Sequence, residues 1–224
     1  MAGAYPSPNH GPRRDDARPD LIVIHYTAMT SCAEARARLC DPLAAVSAHW
    51  LIAEDGAVEA LVPEAARAWH AGAGEWGGVG DVNSRSIGIE LANCGDAPFP
   101  EPQIAALEGL LVAIMARWSI PPERVIAHSD MAPGRKRDPG PRFDWQRLAR
   151  NGLSVWPDSG GDAGRGFGEA LRIIGYPDAT PEVLLTAFRL RFCPWASGPE
   201  TAADRAAADD LARRFPVDGA YPNA

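Results

Sequence analysis

The sequence predicts an α+β fold: a central mixed β-sheet flanked by helices, with a small three-helix bundle at the C-terminal end. Three observations predict it. Apolar runs of strand length, LIVIHYT at 21–27, SIGIELA at 86–92 and RVIA at 124–127, alternate with segments of helical period. A hairpin signal over 50–61 adds antiparallel pairing to strands otherwise joined through helices, so the sheet is mixed rather than all parallel. Three helical patterns then follow a Gly/Asp-rich break at 158–165.

Taken in order, residues 21–27 are β-branched and apolar and read as a buried strand. Ser31 and Glu34 have capping-box spacing, which predicts a helix over 32–40. Trp50 to Ala53, the turn Asp55-Gly56 and Ala57 to Leu61 form the hairpin, and a loop rich in Gly and Trp runs from Ala71 to Asn83. In the strand at 86–92, Ile87, Ile89 and Leu91 share one face and Glu90 takes the other. The next helix starts near Pro100 or Pro102 and lines up Ile104, Leu107, Leu111, Ile114 and Trp118, until Pro121-Pro122 ends it. The strand 124–127 opens into a Pro/Gly-rich loop, His128 to Pro141, followed by a short helix to about Arg150. Beyond the linker come Phe167/Leu171/Ile174 stopped by Gly175, Leu184/Leu185/Phe188/Phe192 opened by Thr180-Pro181, and an Ala-rich segment from Thr201 to Phe215. The expected division is a main domain at 1–157, a linker at 158–165 and a helical module at 166–224. So small a module is marginal alone and is expected to lean on the main domain. A Gly-Ala-Tyr-Pro segment at 3–6 recurs at 219–222, which we read as coincidence.

The composition narrows the function. With 224 residues, 46% of them hydrophobic and 23% charged, the chain is of ordinary globular type. A net charge of −7 argues against a broad phosphate-neutralising surface, so nucleic acid is not an expected partner. Four cysteines at no metal-finger spacing read as free thiols, which suits a reducing compartment. Residues 1–20 lack the apolar core of a secretion signal, and no stretch approaches the length of a membrane span. A cytoplasmic location is expected, with the periplasm as the alternative should a signal segment have been removed. Of the 22 basic residues, Lys136 is the only lysine. Where a surface charge alone is wanted arginine serves, so a surviving compact ammonium marks a position that needs one.

Two of the five histidines, His25 and His128, end apolar strand-like runs, and strands of one sheet deliver such side chains to one rim. The loop after His128 is stiffened by Pro133, Pro139 and Pro141 and carries Lys136. A catalytic zinc site needs three protein ligands and one open position. His25, His128 and a carboxylate supply them, with Asp130 and Asp138 both candidates. Asp138 is favoured because Asp130, two residues from His128, serves equally well as a turn-stabilising residue. Hydrolysis also needs a proton acceptor and a positive charge facing the oxyanion. Glu90, on the polar side of its strand, is the candidate general base, although an edge position facing solvent explains it as well. Lys136 is the candidate oxyanion stabiliser. A cysteine hydrolase built on Cys32 or Cys94 is a competing reading, without a visible group to orient its histidine.

Five ordered segments, LIVIHYTAM, VSAHWLI, RAWHAG, SIGIELAN and HSDMAPGRKRDPG, resemble the zinc-dependent N-acetylmuramoyl-L-alanine amidases of the AmpD/AmiD type, relatives of phage amidases and peptidoglycan recognition proteins. The similarity spans about residues 5–156. It implies a zinc ion (Zn2+) in a surface groove held by His25, His128 and Asp138, and catalytic roles for Glu90 and Lys136. His49, Trp50, Trp69 and His70 match positions that line or support the groove. The implied substrate is the amide joining the lactyl group of N-acetylmuramic acid to L-alanine, in a muropeptide or peptidoglycan fragment, with recycled soluble (anhydro)muropeptides expected. A non-catalytic recognition module, or an amidase of the intact periplasmic wall, is the alternative. GYPDATPEVLLTAFRLRF resembles the core of a three-helix peptidoglycan-binding domain. Departures from the two patterns are Trp50 where Tyr is commoner, Asp144 where Pro usually precedes the Trp, and Arg189 and Arg191 where Gln and His are usual. The last two favour a module that packs against the catalytic domain over one that binds glycan.

Overall fold

Alternation in one strand sets the architecture. In β2 (Leu21–Tyr26) successive side chains point to opposite faces, so Ile22 and Ile24 enter one core and Leu21 and Val23 the other. The computed structural model describes residues 6–158 and 163–217. Before β2 comes β1 (His10–Gly11); after it follow α1 (Cys32–Cys40), β3 (Trp50–Ile52), β4 (Val58–Ala60), β5 (Arg67–Ala68), α2 (Val82–Arg85) and β6 (Ser86–Leu91). Next come α3 (Glu101–Trp118), β7 (Val125–Ala127), α4 (His128–Met131) and α5 (Trp145–Arg150). The last helices are α6 (Phe167–Ile174), α7 (Pro181–Phe192) and α8 (Ala202–Arg214).

The main sheet has the order β4-β3-β6-β2-β7. Strands β3, β6, β2 and β7 run parallel, and β4 closes one edge antiparallel through the Asp55-Gly56 turn. On one face α3 and α5 cover Ile22, Ile24, Ile87, Ile89 and Val125 with Leu107, Leu111, Trp145 and Leu148. Helix α3 begins at a Pro100 N-cap and ends where Ser119 turns left-handed, as the proline and apolar stripe predict. Helix α1 starts at Ser31, whose hydroxyl accepts the Glu34 N–H. The strands β1 and β5, two residues each, pair with one another outside the main sheet and are too short for any period to reveal them.

Where the sequence reads as loop after residue 127, the structure has one helical turn, α4. Its start is stabilised from within: Asp130 Oδ2 accepts the Ala127 N–H at 2.9 Å, closing the turn that the prolines further on do not reach. The opposite face of the sheet carries the C-terminal helices. Leu21, Val23 and Ile126 of the sheet share one buried cluster with Phe167, Leu171, Phe188, Phe192 and Leu211. Arg189 and Arg191 are themselves buried there. The recurring Gly-Ala-Tyr-Pro segments apart from Pro6, residues 159–162 of the linker and the last residues of the module, 218–224, lie outside the described residues.

Because Phe188 is fully buried in this common cluster, Phe188→Ala is expected to cost about 3–5 kcal/mol. Denaturant unfolding followed on both halves checks it. A lower midpoint in the C-terminal helices alone, with the sheet unaffected, would contradict a shared core.

Candidate metal centre and groove

The site forms where the parallel strands end. His25 is the fifth residue of β2 and pairs in register with Glu90 of β6, while Ile24 pairs with Ala127, so His128 emerges one residue later at the head of α4. Asp138 returns along the loop, and its carbonyl accepts the Ser129 N–H at 3.0 Å. The three side chains converge: His25 Nδ1, His128 Nδ1 and Asp138 Oδ2 lie 2.9 Å from one another. They are the one group of three among the described residues whose donor atoms could share a metal ion.

Hydrogen-bond roles can be assigned around this triangle from outside inward. His128 Nε2 faces the carbonyl oxygen of Ala71 at 2.9 Å and must therefore donate. Ser86 spends its one hydroxyl proton on the carbonyl of Val82, so it accepts from His70 Nε2 at 3.2 Å. His70 Nδ1 is then an acceptor, and His25 Nε2, 3.0 Å away, is its donor. Burial first, and the neighbouring His128 second, push His25 down to about 4, so its ring is neutral at pH 7. His70 is likewise held well below its ordinary value by burial and by His25, His49 and His128. His25 and His128 thus both commit Nε2 outward and turn Nδ1 toward the Asp138 carboxylate. A metal ion held by two imidazole nitrogens and one carboxylate fits the donor set that these three side chains bring together. The outward bonds to His70 and Ala71 are the partners that orient such ligands. Gly88 makes room for them, since a Cβ there would lie 2.4 Å from the His70 ring.

Glu90 and Lys136 face the same groove, a space of about 470 Å³ that also meets Trp69, His70, Arg135 and Arg137. Glu90 is half-buried as a residue, but its Oε2 is fully buried and has no hydrogen-bond partner. Burial, reinforced by the negative charge of Asp138 and opposed by Lys136, pushes its carboxyl up to about 8. It is therefore not the solvent-facing edge residue that the strand pattern equally allows. A larger cavity of about 670 Å³ runs along α7 and meets the groove at Arg137, but holds no cluster of metal-ligand type.

Of the four residues expected to line or support the groove, Trp69 lines it and His70 both lines it and orients His25. His49 is fully buried beneath: its Nδ1 accepts the Gly88 N–H at 2.9 Å and its Nε2 lies 3.1 Å from the Ala66 carbonyl. Trp50 is on the other side of the sheet. It pairs with Ile89, not Glu90, so period-two alternation sends its indole to the α3 face, where Nε1 donates to Glu64. Asp130 is not a ligand either; its oxygens are taken by Ala127, Tyr176 and Arg191. Cys94 is exposed and donates to Asp96, and the Cys32 thiol is pushed up to about 11 by burial and by Glu59, Glu54 and Asp55. Neither suits a nucleophile.

Arg135 and Arg137 were not singled out by the sequence. Arg135 donates to the Ala71 carbonyl at 2.6 Å, the same oxygen that receives His128 Nε2–H, and so braces that ligand. Their signal was adjacency to Lys136 in the run RKRD, masked by the abundance of arginine elsewhere.

Comparison with known proteins shows which family the chain resembles. Residues 15–141 match the model of the family described as N-acetylmuramoyl-L-alanine amidase. N-acetylmuramoyl-L-alanine amidase AmiD of Escherichia coli (strain K12) is 38% identical, over 88% of this chain and 84% of its own. 1,6-Anhydro-N-acetylmuramyl-L-alanine amidase AmpD of Enterobacter cloacae is 35% identical, over 64% of this chain and 86% of its own. The solved complex of E. coli AmiD with the substrate anhydro-N-acetylmuramic acid-L-Ala-D-γ-Glu-L-Lys superimposes with a TM-score of 0.78 at 35% identity, covering 96% of this chain and 93% of that one.

Proposed function

The chain belongs to the N-acetylmuramoyl-L-alanine amidases, and we propose that it cleaves the amide between the lactyl group of N-acetylmuramic acid and L-alanine of the stem peptide, with zinc held by His25, His128 and Asp138. The observation that carries this is the triangle of lone pairs at 2.9 Å in the same groove as Glu90 and Lys136. When bound, zinc supplies Lewis-acid polarisation of a carbonyl and lowers the pKa of water toward about 7. Glu90 takes the proton of the attacking water at its carboxylate and returns it to the departing L-alanine nitrogen. A carboxyl held above its ordinary value by burial can both take up and release that proton. Lys136 offers its Nζ to the oxyanion that develops on the lactyl carbonyl. Trp69 gives the sugar or peptide an apolar wall, and Arg135 holds the Ala71 carbonyl under His128.

The substrate form is an anhydro-muropeptide released during wall recycling, supported by the anhydro sugar in the AmiD complex and in the AmpD name. Four unpaired thiols support a reducing, cytoplasmic compartment. No helix among the described residues is long and apolar enough to cross a membrane. Residues 1–157 act as the catalytic domain and 158–165 as the linker, while 166–224 act as a buttress on its sheet; the cluster shared by Val23, Ile126, Phe188 and Phe192 supports the buttress role.

The deciding experiment compares release of stem peptide from purified monomeric muropeptides and from intact sacculi, with zinc measured by elemental analysis. One zinc per chain, loss of activity in chelator and faster turnover of muropeptides are expected. Full activity without any transition metal would end the zinc reading, and preference for sacculi would end the recycling one. Lys136→Arg keeps the charge but replaces a compact ammonium by a planar head. Misplacement by about 1 Å is expected to cost on the order of 100-fold in turnover with zinc retained. Near-normal rates would show that the position needs only a positive charge.

A further inference from the structure

Two buried arginines of α7 face in different directions. Arg189 pairs with Asp204 and donates to the carbonyls of Gly198 and Pro199 in the loop between α7 and α8, all within the C-terminal segment. Arg191 reaches into the other half of the molecule. Its Nη1 donates to Asp130 Oδ2 at 2.6 Å, and its Nη2 donates to the Val125 carbonyl at 2.9 Å and to Ser154 Oγ at 3.1 Å. The guanidinium lies 4.4 Å from the centre of the Trp145 ring. Arg191 and Asp130 side chains are 2% and 0% exposed. A pair this deeply buried is weak support for stability as such, because desolvation offsets its attraction. Its position is what distinguishes it.

Asp130 is the third residue of α4 and ties that turn at three points. Besides Arg191, its Oδ2 accepts the Ala127 N–H at 2.9 Å, and its Oδ1 accepts the Tyr176 hydroxyl at 2.6 Å. The turn begins with His128, and the next residue, Ser129, donates its N–H to the Asp138 carbonyl at 3.0 Å. Fixing α4 therefore sets two of the three candidate ligands, His128 directly and Asp138 through its backbone. Two of the three donors that fix it come from the C-terminal helical segment.

We propose that Arg191 and Tyr176 are positioning residues for the metal centre: through Asp130 they lock the α4 turn, so the C-terminal helices hold His128 and Asp138 in ligand geometry and thereby set metal affinity. The proposal rests on His25, His128 and Asp138 being the ligand set. A planar guanidinium suits the role because it meets Asp130, Val125 and Ser154 at once, which an ammonium on a flexible stem does only in part.

The test uses full-length Arg191→Met, Arg191→Lys and Tyr176→Phe, with Arg189→Met as the matched loss of a buried pair on the same helix. Zinc affinity is measured by competition with a chromophoric chelator, and ligand geometry by the visible absorption of the cobalt-substituted proteins. Arg191→Met is expected to weaken zinc binding by about 10–100-fold and to change the cobalt spectrum, with KM unaltered. Arg191→Lys recovers part of the affinity, Tyr176→Phe gives a smaller loss in the same direction, and Arg189→Met lowers thermal stability alone. If Arg191→Met matches the unsubstituted protein in affinity and spectrum, the proposal fails. Should that variant not fold, Tyr176→Phe decides by the same two readouts. Equal weakening by Arg189→Met also overturns it, since any destabilisation of the module would then suffice. An unsubstituted protein that takes up no zinc overturns the ligand set itself, and so is told apart from failure of the positioning role alone.

Discussion

Asp138→Ala is expected to leave a folded chain that retains no zinc through gel filtration and cleaves muropeptides at a rate near background. Asp138 closes the triangle with His25 and His128, and its removal leaves two imidazole nitrogens without the one anionic donor. The Lewis-acid contribution lost is worth several kcal/mol, which at about 1.4 kcal/mol per tenfold is roughly 10³-fold or more in turnover. Elemental analysis and stem-peptide release, each at fixed protein concentration, measure the two losses separately. An Asp138→Ala protein that keeps both zinc and activity would remove Asp138 from the site.

Glu90→Gln is the second large effect and separates proton transfer from metal binding. The amide keeps the shape of the side chain, whose Oε2 is buried and unpartnered, but cannot take up a proton and return it. Turnover is expected to fall by about 10²–10⁴-fold with zinc content and KM unchanged. Because Glu90 faces the groove without entering the ligand triangle, loss of zinc in this variant would contradict its assignment as the base. The pair of variants therefore yields two distinct signatures, metal lost with rate and rate lost alone.

The strand-end histidines were legible because period-two alternation in LIVIHY and RVIAH leaves few places for their side chains to go, and a shared sheet rim brings them together. Lys136 was legible because every other Lys or Arg position of the chain is arginine. Choosing Asp138 over Asp130 from local spacing alone was close, because the deciding fact is non-local: Arg191, 61 residues further on, occupies the Asp130 carboxylate. Trp50 was misplaced for a related reason. A motif position carries no register, and only the pairing of Trp50 with Ile89 shows which face its ring must take. His70 could be found as a groove residue, but its function of fixing the His25 tautomer depends on Ser86 and on the space that Gly88 leaves, neither visible until the strands are paired.

The core common to the sheet and the C-terminal helices has an evolutionary consequence. An appendage that binds wall polymer from the end of a linker can be gained, exchanged or shed by recombination, because nothing in the enzyme depends on its sequence. Here Val23 and Ile126 lie against Phe188 and Phe192, and the Asp130 carboxylate is neutralised from α7. A descendant that deleted its last three helices would expose apolar sheet and strip the Asp130 carboxylate of its Arg191 and Tyr176 partners. A change at Asp130, Arg191 or Tyr176 alone takes a hydrogen-bond partner from the others, so the two halves of the gene are coupled at these positions.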